Sequence, residues 1–252
     1  ASGPEFSVPA TGWAGTKCTP GGRCGCMALT TACFTEPTSE TMQPGFRVGA
    51  IRRAASPQAP TGVQTITEVA KTAGTLTVFQ RTPNWCAPLH NAPIGAEEMQ
   101  GIRDRYDEIF AACHETFGNF IHSADPRSVF DVSEEEREAF FEKRYSEPGF
   151  GIWMGNFWNL MVDPRANALI TDFIRRKIMQ RVKDPATAEN LIPKNHGFGM
   201  RRVPLESGYY EVYNQENVTL VDINEEPIER ITASGIKTSA AEYEFDMIIY
   251  AT

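Results

Sequence analysis

The clearest pattern of apolar and polar residues begins near residue 46. The apolar run FRVGAI at 46–51 is typical of a buried strand, and TLTVFQ at 75–80 is a second one. Between them, apolar residues three and four positions apart predict a helix over 61–74 that closes at Gly74. Strand, helix and strand in so short a span predict a βαβ unit with parallel strands and a right-handed crossover.

The stretch 86–195 has a helical period instead. Apolar spacing predicts a helix over 95–113, and Ser133 followed by Glu136 predicts a capping box at the start of another helix. A further helix is expected from Pro164 to about Val182. This stretch is therefore interpreted as a helical insertion.

An aromatic string, FGIWMGNFWNLM, occupies residues 150–161 of this insertion. It would suit either the lining of a ligand cavity or the packing of helices onto the neighbouring sheet. Packing is favoured because aromatic residues are mostly found in cores.

Strand patterns return after Arg201 and continue to the last residue. The segments that show them are 217–223, 227–232, 236–238 and 243–252. The last is nearly all apolar after Asp246, which predicts a strand covered on both faces. The chain stops in this strand, which suggests a fragment of a longer protein.

Charge and cysteine usage exclude several classes of protein. The net charge is −8, and there is no run of 18 apolar residues, so a general nucleic-acid binder and a membrane span are not expected. Cytoplasm is the default location. Four of the six cysteines lie within the first 33 residues, but their spacing matches no zinc site and no histidine precedes His90, so we expect no metal.

The end of the second strand carries a basic residue where many dinucleotide-binding proteins have an acid. Arg81 and Thr82 follow TLTVFQ. An acid at that place holds the adenine ribose hydroxyls, whereas an arginine accommodates a 2′-phosphate, which favours NADP(H). An arginine capping the strand in solvent is an equally weighted alternative. The loop 51–62 has two prolines and only Gly62 in a useful place, which argues for poor phosphate affinity.

Arg201 and Arg202 form the strongest candidate pair for chemistry. An arginine keeps its proton, so it stabilises an anion without protonating it. In isolation, two adjacent arginines are more often surface residues. The four histidines are scattered along the sequence and are interpreted as structural or exposed. This interpretation is weakest for His196, because it lies close to Arg201 in the sequence.

Three stretches carry a resemblance to a known family. They are LTVFQRTPNW at 76–85, GFGMRRVPLESGYYEVYNQENVTLVDINEEPIERIT at 197–232 and EFDMIIYAT at 244–252. In this order, they resemble the Baeyer–Villiger monooxygenases, the class B flavoprotein monooxygenases. Those enzymes are longer, with an FAD domain around an NADPH domain that carries a helical insertion.

The resemblance implies roles for individual residues. Arg81 and Arg201 match the basic residues that hold the 2′-phosphate of NADPH, and Thr82 accompanies Arg81. Arg202 matches the active-site arginine that stabilises the oxygenated flavin and positions the nicotinamide. The cofactor-binding set is completed by two residues that match the end of the NADP-binding glycine motif, Gly62 and Gln64.

The resemblance also implies a fold and a division of the chain. The fold is α/β, a Rossmann-like NADP-binding domain interrupted by a helical insertion, after an atypical irregular N-terminal segment. Residues 1–45 form that segment, which is either disordered or not native to the family. Residues 46–85 and 196–252 are the two parts of the NADP-binding domain, and residues 86–195 are the insertion.

The implied reaction uses NADPH, FAD and O2 to insert an oxygen atom next to a ketone carbonyl, giving an ester or lactone. A flavin-binding glycine motif is absent from the sequence, so this fragment alone is expected to be inactive. The alternatives are a non-catalytic nucleotide-binding fragment, a monooxygenase that oxidises nitrogen or sulfur, and, less favoured, a simple NADP-dependent dehydrogenase. The sequence does not identify the substrate, the regiochemistry or the oligomeric state.

Overall fold

The computed structural model of the protein describes residues 45–52, 60–116 and 118–251. The predicted irregular segment, apart from Gly45, lies outside the described residues, as does most of the loop 51–62. No helix among the described residues is both long enough and apolar enough to cross a membrane.

Strands and helices follow one another much as the sequence patterns predict. The strands are β1 (Arg47–Arg52), β2 (Thr75–Gln80), β3 (Ala87–Pro88), β4 (Leu205–Glu206), β5 (Val218–Asp222), β6 (Ile228–Ile231), β7 (Gly235–Thr238), β8 (Glu242–Glu244) and β9 (Met247–Ala251). The helices are α1 (Pro60–Val69), α2 (Ala96–Asp104), α3 (Tyr106–His114), α4 (Glu134–Ser146), α5 (Gly151–Met154), α6 (Pro164–Arg181), α7 (Pro185–Asn190) and α8 (Tyr209–Val212), with a 3-10 helix at Trp158–Met161.

Four strands form a parallel sheet in the order β5, β2, β1, β9. The helix α1 connects β1 to β2, so the predicted βαβ unit is present. This strand order, with β1 in the middle, is that of the first half of a doubly wound nucleotide-binding fold. The predicted α/β class with a parallel sheet is confirmed. The helices α2 to α7 lie between β2 and β5 in the chain, while the exact boundaries of the insertion stay a prediction.

The strand β2 is buried on both faces, which explains its continuous apolar run. Leu76 and Val78 point to a large core that α1 and the insertion helices share with the sheet. Phe79 points to the opposite face and packs in a smaller core with Val221 and Ile236. The antiparallel strands β6, β7 and β8 cover that second face.

The strand β9 departs from its prediction. It pairs with β1 at the edge of the four-stranded sheet, and Met247 and Tyr250 are 39% and 45% exposed. The expectation of coverage on both faces is wrong for the described part of the chain. The apolar residues of β9 reflect its place in the sheet, but the layers that cover β2 do not extend fully over this edge.

In the insertion, one predicted helix is interrupted, and the predicted starts of two others are confirmed. The predicted helix over 95–113 is broken at Arg105, where the backbone leaves the helical conformation between α2 and α3. The Ser133 side chain accepts a hydrogen bond from the backbone N–H of Glu136, as expected for the cap of α4. The Glu136 carboxylate pairs with Arg127 at 2.7 Å. The helix α6 begins after its Asp163 cap and ends at Arg181.

The aromatic string over 150–161 contributes mainly to packing. Its buried members are Ile152, Phe157 and Leu160 in the large core, whereas Trp158 is 51% exposed. Phe157 packs against Phe140, with ring centroids 4.6 Å apart. The favoured interpretation of this string as core is therefore supported for its inward-facing residues.

Candidate functional site

The carboxyl ends of three parallel strands are aligned at one edge of the sheet. Arg52 of β1 is in register with Gln80 of β2, and Gln80 with Asp222 of β5. Arg81 follows directly, with an exposed side chain, and its backbone carbonyl accepts a hydrogen bond from the side-chain amide of Asn224. Ligands of open parallel α/β sheets bind at this edge, next to the place where the strand order reverses. Arg81 therefore lies where such a site is expected.

Two distant segments are tied together beside this edge. Asn84 donates from Nδ2 to the carbonyl oxygen of Arg202 at 3.0 Å, and Trp85 donates from Nε1 to the carbonyl oxygen of His196 at 2.9 Å. The parallel pairing of β3 with β4 continues the contact. The segment with Arg81 and Thr82 is thus held against the loop with Arg201 and Arg202.

The helix α6 supports the same loop from the insertion. Asn167 is buried, and its Nδ2 donates to the carbonyl oxygens of Leu160 at 3.0 Å and Phe198 at 2.8 Å. The hydroxyl of Thr171 accepts a hydrogen bond from the backbone N–H of Phe198 at 2.9 Å. A Cβ at Gly197 would lie only 1.7 Å from Asn167 Oδ1. The fit depends on glycine there.

The arginine loop also turns sharply just before its two charges. Gly199 has a φ of +80°, which favours glycine, and a Cβ there would lie 2.9 Å from Met161 Sδ and from the Trp153 ring. The aromatic string of the insertion thus packs against the backbone that leads to Arg201.

The three candidate arginines differ in exposure, and none of them pairs with an acid of the described part of the chain. Arg81 and Arg202 are exposed and Arg201 is partly buried. Among the described residues, no carboxylate forms an ion pair with any of the three. In a chain with a net charge of −8, arginines that pair with no carboxylate of the described residues favour a local basic field.

His196 is held neutral in this field. Its burial and the charge of Arg201 lower the pKa of His196 to about 4. The ring therefore adds no charge near neutral pH. The imidazole instead lies within hydrogen-bond distance of two side-chain amides, 2.6 Å from Asn195 Oδ1 and 3.2 Å from Asn84 Oδ1.

The predicted glycine-motif residues lie on α1, the helix that follows β1. Gly62 is buried in its first turn, and Gln64 is exposed. The first turn contains no acidic residue that would repel a phosphate. The helix α1 is the crossover between the parallel strands β1 and β2, so its first turn, with Gly62, is oriented towards the end of the sheet at which β1 finishes.

Sequence reasoning missed the residues that hold the site together. Asn84 lies in the stretch LTVFQRTPNW, close to the recognised Arg81, and that proximity was the only local signal. A buried ion pair was also missed: Glu206, whose side chain is fully buried, accepts from Arg181 at 2.7 Å. Burial lowers the pKa of Arg181, but its hydrogen bonds to Glu211 and Glu206 outweigh this and keep the pKa above its ordinary value.

Comparisons with known proteins are consistent with these observations. No protein-family model matches the chain. It is 52% identical over 208 residues to the 2-oxo-Delta(3)-4,5,5-trimethylcyclopentenylacetyl-CoA monooxygenase of Pseudomonas putida, covering 82% of this chain and 37% of that enzyme. It is 38% identical over 212 residues to the cyclopentanone 1,2-monooxygenase of a Comamonas strain, covering 83% of this chain and 38% of that enzyme.

A solved structure gives the same result for the fold. The crystal structure of OTEMO in complex with FAD and NADP superposes with a TM-score of 0.79 at 51% sequence identity. The match covers 82% of this chain and 38% of that one. The chain thus spans less than two fifths of the length of these three relatives.

Proposed function

Because this chain belongs to the Baeyer–Villiger monooxygenases, of which it spans a part, we propose that it is the NADPH-binding portion of such an enzyme. The whole protein would use NADPH, FAD and O2 to insert an oxygen atom next to a ketone carbonyl, giving an ester or lactone. We propose a small-molecule ketone as the substrate and the cytoplasm, where NADPH is available, as the location.

One observation carries the nucleotide assignment: hydrogen bonds tie the segment after β2, which begins with Arg81, to the loop of Arg201 and Arg202, and no carboxylate of the described residues pairs with these arginines. In this proposal Arg81, Thr82 and Arg201 hold the 2′-phosphate of NADPH. Guanidinium groups suit a phosphate because they donate two charge-assisted hydrogen bonds in a fixed plane. Gly62 and Gln64 would face the dinucleotide from α1.

Arg202 is proposed as the catalytic residue. Its guanidinium is exposed and pairs with no carboxylate of the described chain, so it fits a position beside an anionic reacting group. It would stabilise negative charge there without donating a proton, and it would orient the nicotinamide. FAD, bound by other parts of the whole protein, supplies the electron transfer from NADPH to oxygen.

The nucleotide assignment is tested by calorimetric titration of the chain with NADP+ and with NAD+. Arg81→Ala and Arg201→Ala should each weaken NADP+ binding about 10- to 100-fold, the worth of a charge-assisted hydrogen-bonded contact, with little effect on NAD+. Arg175→Ala is the matched control, since Arg175 is an exposed arginine paired with Glu189 elsewhere on the surface. Equal affinities for both nucleotides in the unsubstituted chain would contradict the assignment.

The role of Arg202 is tested in the full-length enzyme. Arg202→Ala should abolish most ester formation from a ketone, since a preorganised cation at a developing oxyanion contributes about 3–4 kcal/mol to lowering the barrier. Products oxidised at nitrogen or sulfur are scored in the same assay, which addresses the alternative reactions. An Arg202→Ala enzyme with near-normal rates would contradict the assigned role.

A further inference from the structure

Asn84 joins the two arginine-bearing segments through both ends of its side-chain amide. Its Nδ2 donates to the carbonyl oxygen of Arg202 at 3.0 Å, and its Oδ1 lies 3.2 Å from Nε2 of His196. An amide offers donors only on its nitrogen and acceptors only on its oxygen. With Nδ2 directed at a carbonyl, Oδ1 must accept, so Nε2 of His196 must carry the ring proton.

The other ring nitrogen faces a second amide, that of Asn195, whose orientation follows from this protonation state. His196 is neutral at neutral pH, with a pKa of about 4 set by burial and by Arg201, so Nδ1 then bears a lone pair. As the Asn195 amide is oriented in the structure, its Oδ1 lies 2.6 Å from Nδ1. A lone pair needs a donor, and hydrogen-bond networks decide which way an amide faces. With the ring proton on Nε2, the Asn195 amide must be turned over so that its Nδ2 donates to Nδ1, which exchanges two atoms of nearly equal size.

The backbone of His196 is fixed independently of its ring. The Trp85 indole N–H donates to the His196 carbonyl oxygen at 2.9 Å, and Trp85 is itself buried. The imidazole thus projects from an anchored backbone towards Asn84. Two hydrogen bonds then follow one another: the His196 ring bonds to the Asn84 amide, and the Asn84 amide bonds to the Arg202 carbonyl oxygen.

We propose that His196 and Asn84 are positioning residues, which act in series through the His196 Nε2–H and the Asn84 amide to fix the backbone of Arg202 and so the placement of the arginine pair. The inference rests on the proposed nucleotide-binding function. The long arginine side chains have many rotamers, so the place of their guanidinium groups depends on a backbone held in one position.

Substitutions in the chain test this series. His196→Phe and Asn84→Leu should each weaken NADP+ binding about 2- to 10-fold, the equivalent of one hydrogen bond, and lower the ratio of NADP+ to NAD+ affinity. The double variant should be no weaker than either single one, because the groups act in series. His196→Gln retains an amide donor at a similar reach and should restore the ratio. A simply structural role would lower stability without changing this ratio in the folded variants.

A second measurement decides the inference independently of nucleotide binding. Long-range ¹H–¹⁵N NMR of the labelled chain at neutral pH should show His196 with its proton on Nε2, and Asn84→Leu should remove this preference. A proton on Nδ1, a doubly protonated ring, or an unchanged affinity ratio in Asn84→Leu would overturn the proposal. If the unsubstituted chain shows no preference for NADP+, the proposed function fails, while the tautomer still decides the positioning role.

Discussion

Gly197→Ala should be severely destabilising because the site leaves no room for a methyl group. The new Cβ would lie 1.7 Å from Asn167 Oδ1 and 2.9 Å from its Cγ, so the Asn167 side chain must move. Moving it breaks the hydrogen bonds from Nδ2 to the carbonyl oxygens of Leu160 and Phe198. Leaving a buried acceptor unsatisfied costs about 1–3 kcal/mol, so we expect a loss of about 2–5 kcal/mol in the free energy of unfolding.

The assay is urea denaturation followed by circular dichroism. Gly101→Ala is the matched control, because Gly101 lies inside α2 and a Cβ added there would meet nothing within 4 Å. That change should stabilise the chain by about 0.5–1 kcal/mol, the helix-propensity difference between glycine and alanine. Opposite signs for the two glycine substitutions would show that the effect comes from the local contact.

A double-mutant cycle identifies the cause. Asn167→Ala alone removes the same hydrogen bonds, so Gly197→Ala added to it should cost much less than it does alone, with only the 3.2 Å contact to Thr171 Oγ1 left to relieve. The reasoning is refuted if Gly197→Ala changes the free energy of unfolding by less than about 0.5 kcal/mol, the range of neutral surface substitutions. Strict additivity of the two substitutions would refute it as well.

Two further predictions concern the ion pairs and caps. Glu206→Gln should lower the free energy of unfolding by about 3–5 kcal/mol, because it breaks the buried ion pair with Arg181. Glu211→Gln removes a half-exposed partner of Arg181 and should lower it by about 0–1 kcal/mol. Thermal unfolding measures both, and equal losses would contradict this difference. Hydrogen bonds from the Thr187 hydroxyl and backbone N–H lower the pKa of Asp184 in the folded state. The contribution of Asp184 to the free energy of unfolding is therefore present above its unfolded-state pKa and is lost as the pH falls through its folded-state pKa. Asp184→Asn keeps a good cap and should reduce the fall in urea midpoint between about pH 6 and pH 3; an unchanged fall would reject the assignment.

The parts of the fold that follow from local patterns were predictable. The strand β2 matches its predicted range of 75–80 because its apolar run is short and bounded, and Asp163 and Ser133 cap helices as their sequence positions indicate. The break at Arg105 was not predictable, since apolar spacing continues across it. A period reports which face of a segment is apolar, but it does not report a local change in backbone direction.

The contacts that organise the candidate site could not be predicted in the same way. Asn84 and Arg202 are 118 positions apart, and Asn167 and Phe198 are 31 apart, so no periodicity connects them. Arg81, Arg201 and Arg202 could be selected as candidates because an arginine suits an anion, although their individual roles were proposed only from the resemblance. Neutral amides carry no such signal, and their role becomes visible only when their partners are known.

The arginine loop is held from two directions, and this has a consequence for the insertion. Asn84 and Trp85 attach the loop to the sheet, whereas Asn167 and Thr171 attach it to α6. The buried pair of Arg181 with Glu206 joins the end of α6 to β4, which follows the same loop. The insertion and the sheet also share one continuous core. The helical insertion is therefore a structural support of the proposed nucleotide site. Substitutions on α6 should change the affinity for NADP+ although their side chains do not contact the nucleotide.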